Sequence, residues 1–428
     1  MKKLFVTLLA LLLALATVLS LCACGGESEG TGETTSVSAY KSKGEYQTLN
    51  KQLTWEALNE FPVVSDSTTI EEGRKMVVDF FRYCKTALWI PDTTYEYKIK
   101  TANTESEVIQ GGVTYGGLPY ISLASGSIYR LMDYMDESTG VVDVLSAGLK
   151  PTLFGNQCSF GSYWGYGRVI NSADYNWTKN MTLKNGFLRL GDYTYDDTLE
   201  KFSESRTTTQ ILEAHGKEKM FECYALLKAG DGIMYYTTAG HVVMISGDAV
   251  VQRDASGKID PAKSYVTVID QTPGHNTATN DAGDTYAFEN NVDAKWTFTK
   301  LFNGNYIPFT FAEWLGTDPI EASKTEYSHT GESITKEQLF KSKVTSNYGM
   351  SDIYAVVYDA KGNEVYKAAR RAEESGMKEL NFKENGFEMD FWGDLDELKD
   401  KKGYTVKIIA QVSTGERPTL WEGKLDLK

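Results

Sequence analysis

Residues 155–169 read Gly155-Asn-Gln-Cys-Ser-Phe-Gly-Ser-Tyr-Trp-Gly-Tyr-Gly-Arg-Val169. Gly155 and Asn156 are loop formers, whereas Ser159 to Val169 predicts a helix packed on its aromatic side. Cys158 then falls at a helix start, where unpaired backbone N–H groups and the helix dipole favour a thiolate. The same amides suit an oxyanion, and Asn156 or Gln157 offers a side-chain donor beside them. A cysteine in an aromatic core is also an ordinary packing residue, so its surroundings decide.

A thiolate nucleophile needs an imidazole and a polar group that fixes the imidazole's tautomer. The four histidines are His215, His241, His275 and His329. The stretch GDGIMYYTTAGHVVMISG, residues 230–247, puts His241 after a turn, as the first residue of an apolar strand. His215 lies at a polar helix end, and His275 and His329 lie in Gly/Thr/Asn-rich or linker sequence. The next strand, Tyr265-Val-Thr-Val-Ile-Asp-Gln271, carries Asp270 and Gln271 on opposite faces, so at most one orients His241. Asp270 is the more effective partner for an imidazolium. Gln271 serves if the register or a bulge reverses the faces.

Cys158 with Ser159 at the start of an aromatic helix, Gly230-Asp231 ahead of GHVVMI, and a following strand with a polar residue resemble the NlpC/P60 superfamily of papain-like cysteine peptidases and amidases. The resemblance implies that Cys158 is the nucleophile, His241 the base and Asp270 or Gln271 the third member. It also implies cleavage of peptidoglycan stem peptides or related amides through a thioester, with no cofactor. The match spans residues 110–275. It departs where Gln157-Cys-Ser-Phe-Gly161 replaces the usual Asp-Cys-Ser-Gly-Phe, and where the Tyr/Gly-Gly element lies well upstream in Gly111-Gly-Val-Thr-Tyr-Gly-Gly-Leu-Pro-Tyr120. If Tyr115 is the family tyrosine, the segment between is an insertion that walls the cleft. Tyr115, Tyr120 and Trp164 are the candidate cleft residues.

Outward from the site, Thr54–Glu60 and Thr69–Trp89 have helical spacing, with a capping box at Thr69 and Glu72 and a stop at Pro91. Cys84 falls on the core side of the second helix. YEYKIK at 95–100 alternates as a strand, and Ser127–Asp136 reads as a short helix. Short strands follow at 234–236, 241–245, 249–252, 265–270, 295–298 and 306–311, with Pro308 demoting the last to an edge or bulged strand. Helices first and a meandering sheet afterwards predict an α+β papain-like domain over residues 50–320. Residues 316–331 read as a linker. Residues 332–428, short alternating strands with regular turn signals, predict an immunoglobulin-like β-sandwich.

The chain opens MKKLFVTLLALLLALATVLSLCACGG, a charged start followed by an apolar run too short to read first as a permanent span. Leu21-Cys22-Ala23-Cys24-Gly25 resembles a bacterial lipobox, which implies a signal peptide over 1–23, lipidation at Cys24 and a polar tether over 24–49; ordinary signal cleavage is the alternative. The expected location is extracytoplasmic, held to the cell membrane by lipid, with cell-wall peptides as partners. Only three cysteines remain, which is no disulfide scaffold. A net charge of −14 without a basic block argues against nucleic acid. No His/Cys cluster stands at metal-ligand spacing. Two other classes compete. A glycosidase would use Asp133, Asp136 and Glu137 near Trp164, and an inactive surface lipoprotein would bind peptides or glycans through the same cleft.

Overall fold

In the computed structural model, residues 52–98, 106–121, 126–148, 155–174, 177–279, 285–374, 376–382, 389–398 and 403–427 are described. The leader, Cys24 and the tether lie outside them, as do the side chains of residues 273–291. The chain is α+β. Among the described residues no helix is long and apolar enough to cross a membrane.

Helix α1 runs Ile70–Thr86 and opens on the expected capping box, in which Thr69 and Glu72 exchange side-chain and backbone bonds. Met76, Val77, Phe80, Phe81 and Cys84 bury one face, each such large side chain contributing about 1.5–3 kcal/mol. The helix ends earlier than its spacing predicted. Ala87 leaves the helical region, and strand β1, Leu88–Pro91, begins before the proline is reached. Trp89 is held there by its Nε1, which donates to the Gly117 carbonyl at 2.9 Å. Helix α2 is Cys158–Tyr166, and every residue in it is buried. Helix α3, Thr208–Tyr224, is broken at Gly216, where φ is +75°.

Ten strands form the main sheet. Its centre is an antiparallel meander of β3 (Gly232–Tyr236), β4 (Gly240–Val250), β5 (Tyr265–Thr279) and β6 (Thr285–Thr297). On one side β6 pairs in parallel with β2 (Thr114–Gly116), which pairs with β1. On the other, β3 pairs with β7 (Ile307–Thr310). Val242 to Ile245 are fully buried, as expected of an apolar run covered on both faces.

Several expected elements differ. The strands expected at 241–245 and 249–252 are one, β4, and the segment 295–298 splits into the end of β6 and a helix, Phe298–Asn303. Strand β7 is not an edge, because Leu188–Arg189 pairs outside it; Pro308 sits where that short pairing ends, its carbonyl accepting from the Leu190 N–H at 3.4 Å. Ser127–Asp136 is a helix only over Ile128–Met132, after which Met135–Asp136 pairs as a strand. Part of the expected linker, Thr325–Tyr327, pairs with Lys343–Ser346 in a three-stranded sheet.

The C-terminal strands form a six-stranded sheet beside that three-stranded one. This region grips the far end of α2. Ser413 Oγ donates to the Gly167 carbonyl at 2.7 Å, and Tyr348 OH to that of Val169 at 3.0 Å. Arg130, buried in the first region, reaches across to Asp352 at 2.9 Å. The C-terminal end of the helix that carries Cys158 is thereby fixed.

Candidate active site

Cys158 is the first residue of α2, preceded by an extended Gln157 whose side chain caps none of the first-turn amides. The N–H groups of a helix's first turn have no acceptor within the helix itself. Close packing sets the height of the helix: a Cβ on Gly165 would lie 2.6 Å from Phe81 Cβ and 2.7 Å from Met244 Cε. Only a glycine lets α2 lie this near α1 and β4, and that approach carries Cys158 to the start of β4.

There the Cys158 thiol and the His241 ring interact electrostatically, with the Val242 backbone N–H beside the sulfur. His241 Nε2 lies 2.7 Å from Asp270 Oδ1, which leaves Nδ1 as the ring nitrogen for the sulfur. Asp270 sits on the neighbouring strand β5 and is 4% exposed. Burial alone pushes the Cys158 thiol up, but the His241 charge and hydrogen bond outweigh it, so the thiol lies below its ordinary value. Burial likewise pushes His241 down, yet the Asp270 and Cys158 charges lift it well above 6.5. Both shifts favour thiolate and imidazolium side by side.

Gln271, the alternative third residue, points away from this line, as strand alternation requires. Its Oε1 accepts from Lys85 Nζ, and its Nε2 donates to the Leu118 carbonyl at 3.3 Å. Lys85 also donates to Asn156 Oδ1 at 3.3 Å and lies over the Phe81 ring. The side chain is fully buried, and its Nζ lies against Gly161 in the first turn of α2. Nothing in its spacing singled it out, since a lysine in the last turn of a helix usually serves the dipole from solvent.

The expected support residues divide. Asn156 does not act as an oxyanion donor, because its Oδ1 faces Lys85 and its Nδ2 donates to the Gly126 carbonyl at 3.1 Å. Gln157 Nε2 donates to Ser159 Oγ at 3.2 Å, and both side chains are buried. The cleft residues are not assembled as a cleft. Trp164 is a core residue, 2% exposed, with its Nε1 bonded to Gly126 O at 2.9 Å. Tyr115 packs on Trp89 and accepts from the Gln110 N–H; Tyr120 is buried where its backbone bridges to Asn156.

Asp231 is a packing hub. Arg74 bonds it at 3.0 Å and Thr310 at 2.7 Å, and burial raises its pKa. Of the other histidines, His215 Nε2 contacts the Thr194 backbone and His329 Nε2 the Ser333 carbonyl. His275 has strand backbone rather than a loop's, and its side chain lies outside the described residues. Cys84 is core, its thiol pushed up to about 12 by burial. The proposed glycosidase group does not form. Asp133 is bound to Arg371 and Lys367, Asp136 bonds Ser138, and Trp164 lies in the core.

Against known proteins, no family model, no curated protein and no solved structure matches this chain. The chemistry rests on the Cys158–His241–Asp270 line itself.

Proposed function

We propose that the protein is an extracytoplasmic cysteine hydrolase that cleaves amide bonds, with peptidoglycan stem peptides as its substrate class. The observation that carries this reading is the line from Cys158, at a helix start, to His241 and on to Asp270 at 2.7 Å. A nucleophile helix packed on an antiparallel sheet, with the histidine opening one strand and the acid on the next, supports a papain-like domain of NlpC/P60 kind over residues 50–320. Residues 332–428 are read as an immunoglobulin-like sandwich that braces α2. The leader and Cys24 supply the lipid anchor.

In this mechanism the thiolate attacks the substrate carbonyl carbon. A C–S bond forms, and the carbonyl electron pair moves to oxygen, held by the first-turn N–H groups of α2. Collapse breaks the C–N bond, and the leaving amine takes its proton from imidazolium His241. The thioester is then attacked by water, which gives its proton to His241. Collapse releases the carboxylic acid product and restores thiolate and imidazolium. Asp270 holds the ring's orientation and stabilises its charged form.

The test is the pH dependence of iodoacetamide alkylation at Cys158 in wild type and His241→Ala, alongside stem-peptide cleavage by wild type and Cys158→Ser. The expected result is a midpoint below the free-thiol value of about 8.5 that rises without His241, and cleavage that requires Cys158. A thiol that titrates identically in both proteins sinks the dyad. A second reading, an inactive lipoprotein that binds peptides or glycans, is favoured by the burial of Cys158, which is 4% exposed. It predicts binding without turnover.

A further inference from the structure

Beyond the imidazole a row of aromatic rings continues along the sheet. Tyr235 is paired directly opposite His241 between β3 and β4, and their rings are 6.1 Å apart. Tyr306 meets Tyr235 edge-on at 5.2 Å, and Trp296 meets Tyr306 at 5.6 Å. Strand register puts Trp296 opposite Val266, on the face shared by Val268 and Asp270. Lys300, in the helix Phe298–Asn303, lays its ammonium 3.9 Å from the Trp296 ring centre. Tyr235 is half-buried and Lys300 exposed, so the row reaches solvent at both ends, while Tyr306 and Trp296 between them are each 7% exposed.

Lys300, like Lys295 over Tyr265, sets its ammonium against a ring. Many surface lysines here hold a carboxylate, but among the described residues the Lys300 ammonium has no ion-pair partner. Contact with Trp296 partly dries it, and burial pulls it below the ordinary lysine value while the Asp270 charge opposes. A partly desolvated cation gains more from an incoming anion than a fully hydrated one does. The net charge of −14 disfavours anions elsewhere.

We propose that Tyr235, Tyr306, Trp296 and Lys300 form the subsite for the leaving-group side of the substrate, and that Lys300 binds the terminal carboxylate of the peptide fragment that departs. This rests on the amide-hydrolase reading above. Direction follows from chemistry: His241 gives its proton to the leaving amine, so the departing fragment lies against the imidazole and next meets Tyr235. An extended peptide covers roughly 3.3–3.6 Å per residue, so a fragment of a few residues reaches Lys300. The substrate class is thereby narrowed to peptides cut near a free C-terminus.

Cys158→Ser protein, which lacks the nucleophilic thiol, is titrated calorimetrically with L-Ala-γ-D-Glu-L-Lys-D-Ala-D-Ala and with its C-terminal amide. The acid should bind about fivefold more tightly than the amide, the scale of one partly exposed ion pair. That ratio should fall to near one in Lys300→Met and survive in Lys300→Arg. Equal binding of the two peptides, no binding of the acid, or a ratio that survives Lys300→Met overturns the subsite. Alkylation of Cys158 in the wild type separately decides the hydrolase reading, so the two failures are distinguishable.

Discussion

His241 Nε2 and Asp270 Oδ1 meet at 2.7 Å on adjacent strands, and both side chains are largely shielded from solvent. In such surroundings a carboxylate's charge is weakly screened, and its removal is felt directly by the imidazole. Asp270→Asn keeps the shape and removes the charge. The alkylation midpoint of Cys158 should rise, and amide cleavage should fall by about 10²–10⁴-fold. A midpoint that stays put would show that Asp270 does not support the pair.

Two pH profiles should part company. The thiol lies below its ordinary value and the imidazole well above its own, so thiolate and imidazolium coexist between the two folded-state values. As pH falls through the lowered Cys158 value the thiolate is protonated, and both alkylation and cleavage are lost. As pH rises through the raised His241 value the proton for the leaving amine is lost, but the thiolate remains. Stopped-time assays should give cleavage a bell and alkylation a plateau. Alkylation that falls on the alkaline side would contradict this assignment.

Much of this line is legible in the sequence. A cysteine after Gly-Asn-Gln and before an aromatic run marks a helix start, and a histidine ahead of VVMI marks a strand start, because both signals are local. The choice of Asp270 over Gln271 was not, since a two-residue alternation leaves the face undecided until the β4–β5 register is known. Trp164 misled for a related reason. An aromatic helix has no preferred side until its neighbours are known, and here Phe81 and Met244 sit so close to Gly165 that α2 is enclosed. Lys85 was invisible because its role depends on Asn156 and Gln271, which are distant in sequence.

Lys85 should matter to the folded site. Lys85→Met would deprive Asn156 Oδ1 and Gln271 Oε1 of their buried donor, at about 1–3 kcal/mol for each unsatisfied group. Denaturant unfolding should register that loss, and Lys85→Arg should restore only part of it for want of room. If Lys85 also steadies the first turn of α2, the Cys158 alkylation midpoint will move in Lys85→Met even under conditions where the protein is fully folded. Unchanged stability would mean that the two amides find other partners.

The interface between the two regions should be acid-sensitive. Burial pushes Asp133 up, but Arg371 and Lys367 outweigh it and hold the carboxyl below its usual range. A depressed folded-state value stabilises the fold above the unfolded value of about 3.9 and is lost as pH falls through the folded one. Asp133→Asn should cost about 1–3 kcal/mol at neutral pH, because buried Arg371 loses one carboxylate while keeping Asp352 and Asp390. The difference from wild type should shrink below pH of about 3.9. Urea titrations at two pH values check this, and a difference independent of pH would refute the link to Asp133.

Gly165 links packing to chemistry. A methyl group there would come within 2.6 Å of Phe81 Cβ, a position tethered to the α1 backbone, and within 2.7 Å of the more yielding Met244 Cε. Helix α2 must then lift from α1 and β4, carrying Cys158 away from His241 and the Val242 N–H. Overpacking of this kind costs about 1–3 kcal/mol. The lost contact should also return the thiol toward the upward shift that burial alone imposes. Gly165→Ala should therefore lower Tm and slow Cys158 alkylation at neutral pH, whereas Ser162→Ala, which removes only a hydroxyl bonded to Cys158 O at 2.8 Å, should keep most of the reactivity. A Gly165→Ala protein with wild-type alkylation would mean that the helix absorbs the methyl group without moving its first turn.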